Sequence, residues 1–191
     1  MKLELIKQAQ KYLVESPQDY LHDITHHHRV VLIAREILRN IAEKDTINGD
    51  LVDVLCWWHD VKIPDLDYGE KRVAWVIADY LAGLVFEEER ELVRDSIKNH
   101  EFGSQPNFLE GKVLQDADKL EFLSEERLQN ALDALDAGLM KQEEAKLAAS
   151  NLKKFLPKLP DLYNFSWSKE EHNRRLSKVG PLFDKYFTRF S

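Results

Sequence analysis

Apolar residues recur at intervals of three and four along most of the chain, the spacing that places them on one face of an α-helix. In the first such segment the apolar face is formed by Leu3, Ile6, Ala9 and Leu13. Glycine and proline, which interrupt helices, are scarce at 7 and 6 of 191 residues. We therefore predict an all-α fold, with residues 1–191 forming a single-domain helical bundle.

The predicted helix ends come from capping and helix-breaking residues. Ser16-Pro17 ends the first helix, and either Asp23 or Thr25 can cap the second. Gly83 is predicted to end the fourth helix in a left-handed conformation. The predicted helices cover about residues 2–15, 23–44, 50–61, 69–82, 87–99, 111–123, 124–140 and 142–156, and a linker over 157–167 precedes the last helix.

The last helix carries its own start signal and a cluster of aromatic residues. Ser168 and Glu171 have the spacing of a capping box, and Pro181 predicts a kink. The aromatic-rich tail can pack on the bundle or on a second copy of the chain, which would make a homodimer. Its aromatic residues are Trp167, Phe183, Tyr186, Phe187 and Phe190.

Composition narrows the class of protein. The formal net charge of -7 argues against a surface that binds nucleic acid, which needs an excess of Lys and Arg. No apolar run approaches the roughly 18 residues of a membrane helix, and the start of the chain lacks the apolar segment of a signal peptide. We expect a cytoplasmic protein without nucleic-acid or membrane partners. The single cysteine, Cys56, has apolar neighbours and is predicted to be a small buried side chain.

The stretch "DYLHDITHHHRVVLIAREIL" holds four histidines. Helical projection places His26 and His27 near the apolar stripe and His28 on a polar row that faces water. His22 and His26 also have the i,i+4 spacing of a two-imidazole metal site. Since histidines at the edge of an apolar stripe often serve only in packing, the projection leaves both roles open.

Two further segments contain acids next to apolar helices. In "LCWWHDVKIPD", the carboxylate of Asp60 either is buried and needs a partner such as a cation, or lies exposed at a helix end. In "GKVLQDADKLEFL", Asp118 lies next to the apolar stripe and can point inward, while Asp116 points elsewhere. Together with Glu121 these acids repel one another unless a cation lies among them, or they form a solvated acidic face.

Taken in order, these segments resemble the HD-domain superfamily of metal-dependent phosphohydrolases, whose ligand set reads H…HD…D. Residues 22–30 are similar to the opening signature H-D-x-x-H-x-x-R-V, residues 59–60 to the pair that names the family, and residues 116–121 to the closing D-A-D-[KR]-L-[DE]. The resemblance covers about residues 20–125, and residues 126–191 match only as C-terminal helices that complete the bundle. It implies one divalent ion (Mn, Fe, Co, Ni, Zn or Mg) held by His26, His59, Asp60 and Asp118.

The resemblance also implies a function and roles for further residues. It predicts hydrolysis of a phosphate ester of a small metabolite, in the first place a nucleotide or related phosphomonoester, by attack of metal-bound water. A phosphodiesterase or pyrophosphohydrolase of the same fold, or a non-catalytic ligand-sensing module, are the alternatives. The implied catalytic groups are Asp60, Lys119 and His100; the substrate contacts are Lys119, Arg29 and His100; and the groups that orient the ligands are Asp23, Glu121 and His22. Arg29 could instead form a salt bridge with Asp23 or Asp60.

Overall fold

The computed structural model describes residues 1–16, 22–101, 103–139 and 141–189, and the regular elements within these ranges are helices. The prediction of an all-α fold is confirmed. None of the helices in the described ranges has the length and hydrophobicity of a membrane-spanning segment. In chain order the helices are α1 (Lys2–Glu15), α2 (Ile24–Asn40), α3 (Gly49–Trp58), α4 (Val73–Ala82), α5 (Arg90–Lys98), α6 (Leu109–Glu121), α7 (Glu125–Asp136), α8 (Gln142–Phe155), α9 (Leu159–Leu162) and α10 (Ser166–Thr188), with short 3-10 segments at Ala42–Thr46, Glu87–Glu89 and Leu156–Lys158.

The main core lies between the helices of the first two thirds of the chain. Helix α2 packs against α3 and α6, α1 packs on α3, and α5 lies between α4 and α6. Fully buried side chains such as Ile37, Trp58 and Leu120 fill the space between them. The Trp58 indole donates a hydrogen bond to the Leu5 carbonyl at 3.0 Å, so its one polar atom is satisfied in the core. Because α2, α3 and α6 meet here, the residues at their ends are brought close together.

The start of α2 is set by Asp23 rather than Thr25. The Asp23 carboxylate accepts a hydrogen bond from the backbone N–H of His26 at 2.9 Å, which is an N-cap contact. Helix α2 ends at Asn40, earlier than the predicted residue 44, because Ile41 adopts an extended conformation (φ -98°, ψ 153°) and packs into the core.

Helix α4 ends at Ala82, before Gly83, as predicted, but the predicted conformation of Gly83 and the predicted start of this helix are wrong. Gly83 has φ -72° and is therefore right-handed, and its N–H continues the turn by bonding the carbonyls of Asp79 and Tyr80. Helix α4 begins at Val73 and not at residue 69, because Gly69 adopts φ 52° in the preceding turn. Gly83 therefore caps α4 in a right-handed conformation and not in the predicted left-handed one.

The predicted capping box does not open the last helix. Helix α10 begins at Ser166, so Ser168 lies buried inside its first turn. The start is instead fixed by the buried carboxylate of Asp116 in α6, which accepts the backbone N–H groups of Asn164 at 2.9 Å and Phe165 at 3.1 Å. The predicted linker is partly helical, since it includes α9, and α10 continues through Pro181 to Thr188. The predicted packing of Phe190 lies outside the described residues.

Replacement of Gly111 by Ala is expected to destabilise the protein by about 1–3 kcal/mol, because it overpacks the contact between α5 and α6. A Cβ at Gly111 would lie 2.8 Å from the Pro106 Cβ and 3.0 Å from the Ser96 Cα. Urea unfolding measures the change. Gly180→Ala in α10 is the control, since nothing lies within 4 Å of its Cβ position. Equal stability of the two variants would contradict the close approach of α5 and α6.

Candidate metal centre

The four predicted ligands come together where α2, α3 and α6 meet. The Nε2 atoms of His26 and His59 are 3.2 Å apart, and Asp118 Oδ1 lies 3.5 Å from the first and 3.7 Å from the second. Asp60 Oδ2 lies 3.5 Å from His59 Nε2. Ligand atoms of His26, His59 and Asp60 all lie within 4.8 Å of one another, so this cluster could hold a metal ion.

The hydrogen bonds behind the two imidazoles determine which ring nitrogens face the cluster as acceptors. His59 Nδ1 lies 2.9 Å from the Cys56 carbonyl, which can only accept, so this nitrogen carries a proton. His26 Nδ1 lies 3.0 Å from the Glu121 carboxylate and donates to it for the same reason. In its neutral form, which binds metal, an imidazole carries one N–H, so in that form both Nε2 atoms present lone pairs to each other at 3.2 Å. Two lone pairs and two carboxylates that converge in this way fit a cation between them.

The charges of the cluster favour the same ligand forms. Burial acts to raise the pKa of Asp60, but His59 and His100 outweigh it and hold this pKa well below its ordinary value. The pKa of Asp118 is likewise lowered, against the effect of burial, by the neighbouring His59 and His26. Burial lowers the pKa of His26, despite the opposing effect of Glu121. Deprotonated carboxylates and neutral imidazole are the forms that bind a divalent ion.

His100 lies on the other side of the Asp60 carboxylate. Its Nε2 is 3.5 Å from Asp60 Oδ1, and its Nδ1 donates to the Ile97 carbonyl at 2.6 Å. Burial acts to lower its pKa, but the Asp60 carboxylate raises it to about 9. His100 is therefore placed as a proton-bearing group beside the cluster, and its predicted contact with substrate stays a prediction.

Lys119 is buried and holds α6 to the segment before α10. Its Nζ donates a hydrogen bond to the Leu162 carbonyl at 2.9 Å. Burial lowers its pKa to about 8, although Asp116 and Asp118 oppose this effect. The structure thus gives Lys119 an anchoring contact, and its catalytic and phosphate-binding roles stay predictions.

Arg29 forms its ion pairs with Glu121 and Glu126, at 2.7 and 3.2 Å, and not with Asp23 or Asp60. The predicted salt-bridge partners are therefore wrong, because Arg29 extends toward the end of α6 and the start of α7. It also lines a cleft of about 370 Å³ whose lining does not include the four clustered side chains. Its role as a substrate contact stays a prediction.

The three residues predicted to orient the ligands occupy different positions. Glu121 is fully buried and receives the Nδ1–H of His26. Asp23 acts on His26 through the backbone, as the cap of α2. The ring centroid of His22 lies 5.4 Å from that of His26.

The positions of His27, His28 and Cys56 agree with the sequence predictions. His27 is buried like His26, and its Nδ1 lies 3.0 Å from the Cys56 carbonyl, the same acceptor that His59 uses. His28 is exposed, as predicted. Cys56 is fully buried, and burial raises the pKa of its thiol well above the ordinary value.

Arg127 in α7 was missed by the sequence interpretation. Its guanidinium contacts the carboxylate of Glu121 and lies 3.1 Å from His26 Nδ1. It also stacks on the Phe122 ring, 4.5 Å from the centroid. The segment that contains Arg127 carries no signature, and a single arginine in an amphipathic helix predicts only a solvated side chain.

Asp116 has a structural role two positions before Asp118. Besides the two backbone N–H groups that begin α10, its carboxylate accepts the Asn164 side-chain amide at 2.8 Å. It therefore points away from the imidazoles, as predicted, but it is buried and does not belong to a solvated acidic face.

Comparison with solved structures identifies the class of fold. A predicted HD superfamily hydrolase from an uncultured Thermotogales bacterium aligns over 100% of this chain and 91% of its own, with 22% identity and a TM-score of 0.58. A protein from Lactobacillus plantarum aligns over 98% and 97%, with 21% identity and a TM-score of 0.67. Bacillus subtilis YpgQ aligns over 96% and 94%, with 21% identity and a TM-score of 0.63, and it has also been solved in complex with ADP.

The chain therefore has the fold of the HD superfamily, which confirms the predicted fold type. A scan of protein-family models finds no match, and a search of curated proteins finds no significant relative. Within this fold, the present chain carries a His/His/Asp cluster that could hold a metal ion.

Proposed function

We propose that this protein is a metal-dependent phosphohydrolase that cleaves a phosphate ester of a small metabolite, namely a nucleotide or related phosphomonoester. The proposal rests on one observation, the convergence of the acceptor atoms of His26, His59, Asp60 and Asp118. The two imidazole Nε2 atoms face each other at 3.2 Å, while the Nδ1–H groups of the same rings donate to Glu121 and to the Cys56 carbonyl. Such an arrangement is unfavourable without a cation among the four groups.

The four side chains fit one divalent ion by their chemistry. Two neutral imidazoles and two carboxylates suit Mn, Fe, Co, Ni or Zn, and Mg with weaker affinity. A divalent ion held there would supply Lewis acidity toward water and toward a phosphoryl oxygen. The two carboxylates balance its charge, and the buried surroundings strengthen their attraction for it.

The remaining polar groups act on the substrate side. His100 holds a proton on Nε2, 3.5 Å from Asp60 Oδ1, where it can donate to a phosphoryl oxygen or to a departing alkoxide. Lys119 places positive charge next to Asp118 in the chain and contributes to the attraction of an anionic substrate. The Asp60 carboxylate lies between the two rings, with Oδ2 near the proposed ligand His59 and Oδ1 near the protonated His100.

Net charge and the likeness to YpgQ support the proposed substrate class. A net charge of -7 disfavours polymeric nucleic acid and leaves small phosphorylated molecules. The YpgQ complex with ADP shows that a protein of this fold binds a nucleotide, which supports a nucleotide substrate here. Since ADP contains a phosphoanhydride, pyrophosphate cleavage is retained as the second candidate reaction.

The test is a screen of phosphorylated metabolites with protein purified without chelators. Nucleoside mono- and diphosphates, including ADP, are incubated with Mn, Co, Ni, Zn or Mg, and inorganic phosphate and pyrophosphate are measured separately. We expect bound metal in the purified protein and metal-dependent phosphate release from a nucleotide. A chain that holds no metal and takes up none from added Mn or Ni would instead support a ligand-sensing module without turnover.

A further inference from the structure

We infer that Arg127 is a positioning residue, which holds Glu121 against His26 so that the His26 imidazole keeps its proton on Nδ1 and presents Nε2 to the cluster. The inference rests on the proposed function, in which His26 binds a metal ion. Arg127 lies in α7, outside the segments that resemble the HD signatures, and it would act on the metal only through Glu121 and His26.

The contacts form a chain from α7 to the cluster. The Arg127 guanidinium donates to Glu121 Oε2, and the same oxygen lies 3.0 Å from His26 Nδ1. Glu121 is fully buried, and the side chain of Arg127 is 7% exposed. A buried carboxylate needs charged partners, since leaving it unpaired costs several kcal/mol or forces it to take up a proton. Arg127 supplies a positive charge next to Glu121 Oε2, the oxygen that also accepts the hydrogen bond from His26.

Arg127 Nη1 also lies 3.1 Å from His26 Nδ1, but it is closer to Glu121 Oε2 and donates there, so the geometry favours one assignment of protons. Arginine has only donors and an ionised carboxylate has only acceptors, so Arg127 and Glu121 are satisfied by each other. If His26 Nδ1 carried no proton, its lone pair would face the lone pairs of Glu121 at 3.0 Å. With the proton on Nδ1, His26 donates to Glu121, and its Nε2 is left as the acceptor that faces His59 at 3.2 Å. Loss of Arg127 removes the group that holds Oε2 of Glu121 next to His26.

Arg127 and Arg29 do not have equal roles on Glu121. Arg29 donates to Oε1 at 2.7 Å and also pairs with the exposed Glu126, so it binds the oxygen that His26 does not use. Arg127 binds Oε2 and lies 3.1 Å from His26 Nδ1, with its guanidinium stacked on Phe122. Stacking on an aromatic face helps to hold the guanidinium beside Glu121 and His26.

The test compares wild type with Arg127→Met, which keeps the aliphatic stem and removes the guanidinium. Long-range ¹H–¹⁵N NMR spectra of the histidine rings, recorded in EDTA, report which nitrogen of His26 carries the proton. We expect the Nδ1–H form in the wild type and its loss in the variant. Titration calorimetry with Mn²⁺ is expected to show metal affinity reduced by about 10- to 100-fold, the usual effect of removing a group behind a metal ligand. Arg127→Lys keeps the charge and is expected to restore the Nδ1–H form.

The chain offers a matched control in Arg175→Met. Glu171 is also a buried carboxylate held by two arginines, Arg174 and Arg175, but it lies in α10. This variant is expected to leave the His26 tautomer and Mn²⁺ affinity unchanged. If Arg127→Met does not fold, Arg127→Gln takes its place, since it removes the charge and keeps a donor. The His26 tautomer and the Mn²⁺ affinity are then measured in that variant.

Unchanged His26 spectra and unchanged Mn²⁺ affinity in the folded Arg127 variants would overturn the inference. The two proposals fail separately. A wild-type protein that binds no Mn²⁺ contradicts the metal site, whereas the tautomer of His26 in the metal-free protein still tests whether Arg127 positions it.

Discussion

Asp118→Asn is expected to abolish divalent-metal binding and metal-dependent phosphate release while the helical fold is retained. The substitution keeps the shape of the side chain and removes its charge. Asp118 Oδ1 lies 3.5 and 3.7 Å from the Nε2 atoms of His26 and His59, so the charge is lost at the centre of the cluster. An amide is a much weaker ligand for a divalent ion than a carboxylate. The loss of affinity should exceed the roughly 100-fold that removal of a group behind a ligand can cause.

Asp116→Asn makes the same chemical change two residues away and provides the matched control. Asp116 accepts the backbone N–H groups of Asn164 and Phe165 that begin α10, and an amide can satisfy fewer of them. We expect a loss of about 1–3 kcal/mol in the free energy of unfolding, the usual effect of an unsatisfied buried group. Metal affinity of the folded molecules should be unchanged.

Calorimetric titration with Mn²⁺, phosphate-release assays and urea unfolding separate the two variants. Each variant is expected to lose a different property: Asp118→Asn loses metal affinity, and Asp116→Asn loses stability. If Asp118→Asn bound Mn²⁺ as tightly as the wild type, Asp118 would not be a ligand, and the proposed centre would lack one of its four members.

The helices themselves were largely predictable, because local periodicity and helix-breaking residues determine most of them. Helix α1 occupies Lys2–Glu15, as the apolar spacing and Ser16-Pro17 predicted. Ends that depend on distant contacts were not predictable. Ser168 and Glu171 satisfy the pattern of a capping box, but the carboxylate of Asp116, about fifty residues earlier in the chain, determines where α10 begins.

Within the site, helical projection placed His26 and His27 near the core and His28 in water, and all three positions agree with the structure. The projection could not choose between the two buried rings, since both follow the same apolar stripe. The choice depends on what lies behind each ring, namely Glu121 for His26 and the Cys56 carbonyl for His27.

The groups that support the ligands were the least predictable part of the site. Arg127 is 101 positions from His26 in the chain, and it reaches His26 from the first turn of α7, which begins just after Ser124. For Arg29 the sequence signature was recognised, but its ion-pair partners were not predictable. It lies in a signature, yet its partners are Glu121 and Glu126, which a local pattern in α2 cannot specify.

Replacement of the three consecutive histidines one at a time is expected to give three different results. His26→Ala should remove metal binding and hydrolysis, because Nε2 of His26 faces His59 Nε2 at 3.2 Å. His28→Ala should change neither property, because this side chain is exposed. His27→Ala should lower stability by a few kcal/mol through the cavity it leaves beside Trp57, on which His27 stacks, while metal binding is kept.

The measurements are Mn²⁺ titration and thermal unfolding with and without Mn²⁺. A ligand that binds only the folded state raises its stability by RT ln(1 + [L]/Kd), which is about 2.7 kcal/mol at a hundredfold excess over Kd. This increment should be present in wild type, His27→Ala and His28→Ala, and absent in His26→Ala. Loss of the increment in His28→Ala, with His26→Ala unaffected, would show that the exposed ring binds the ion and that the buried cluster does not.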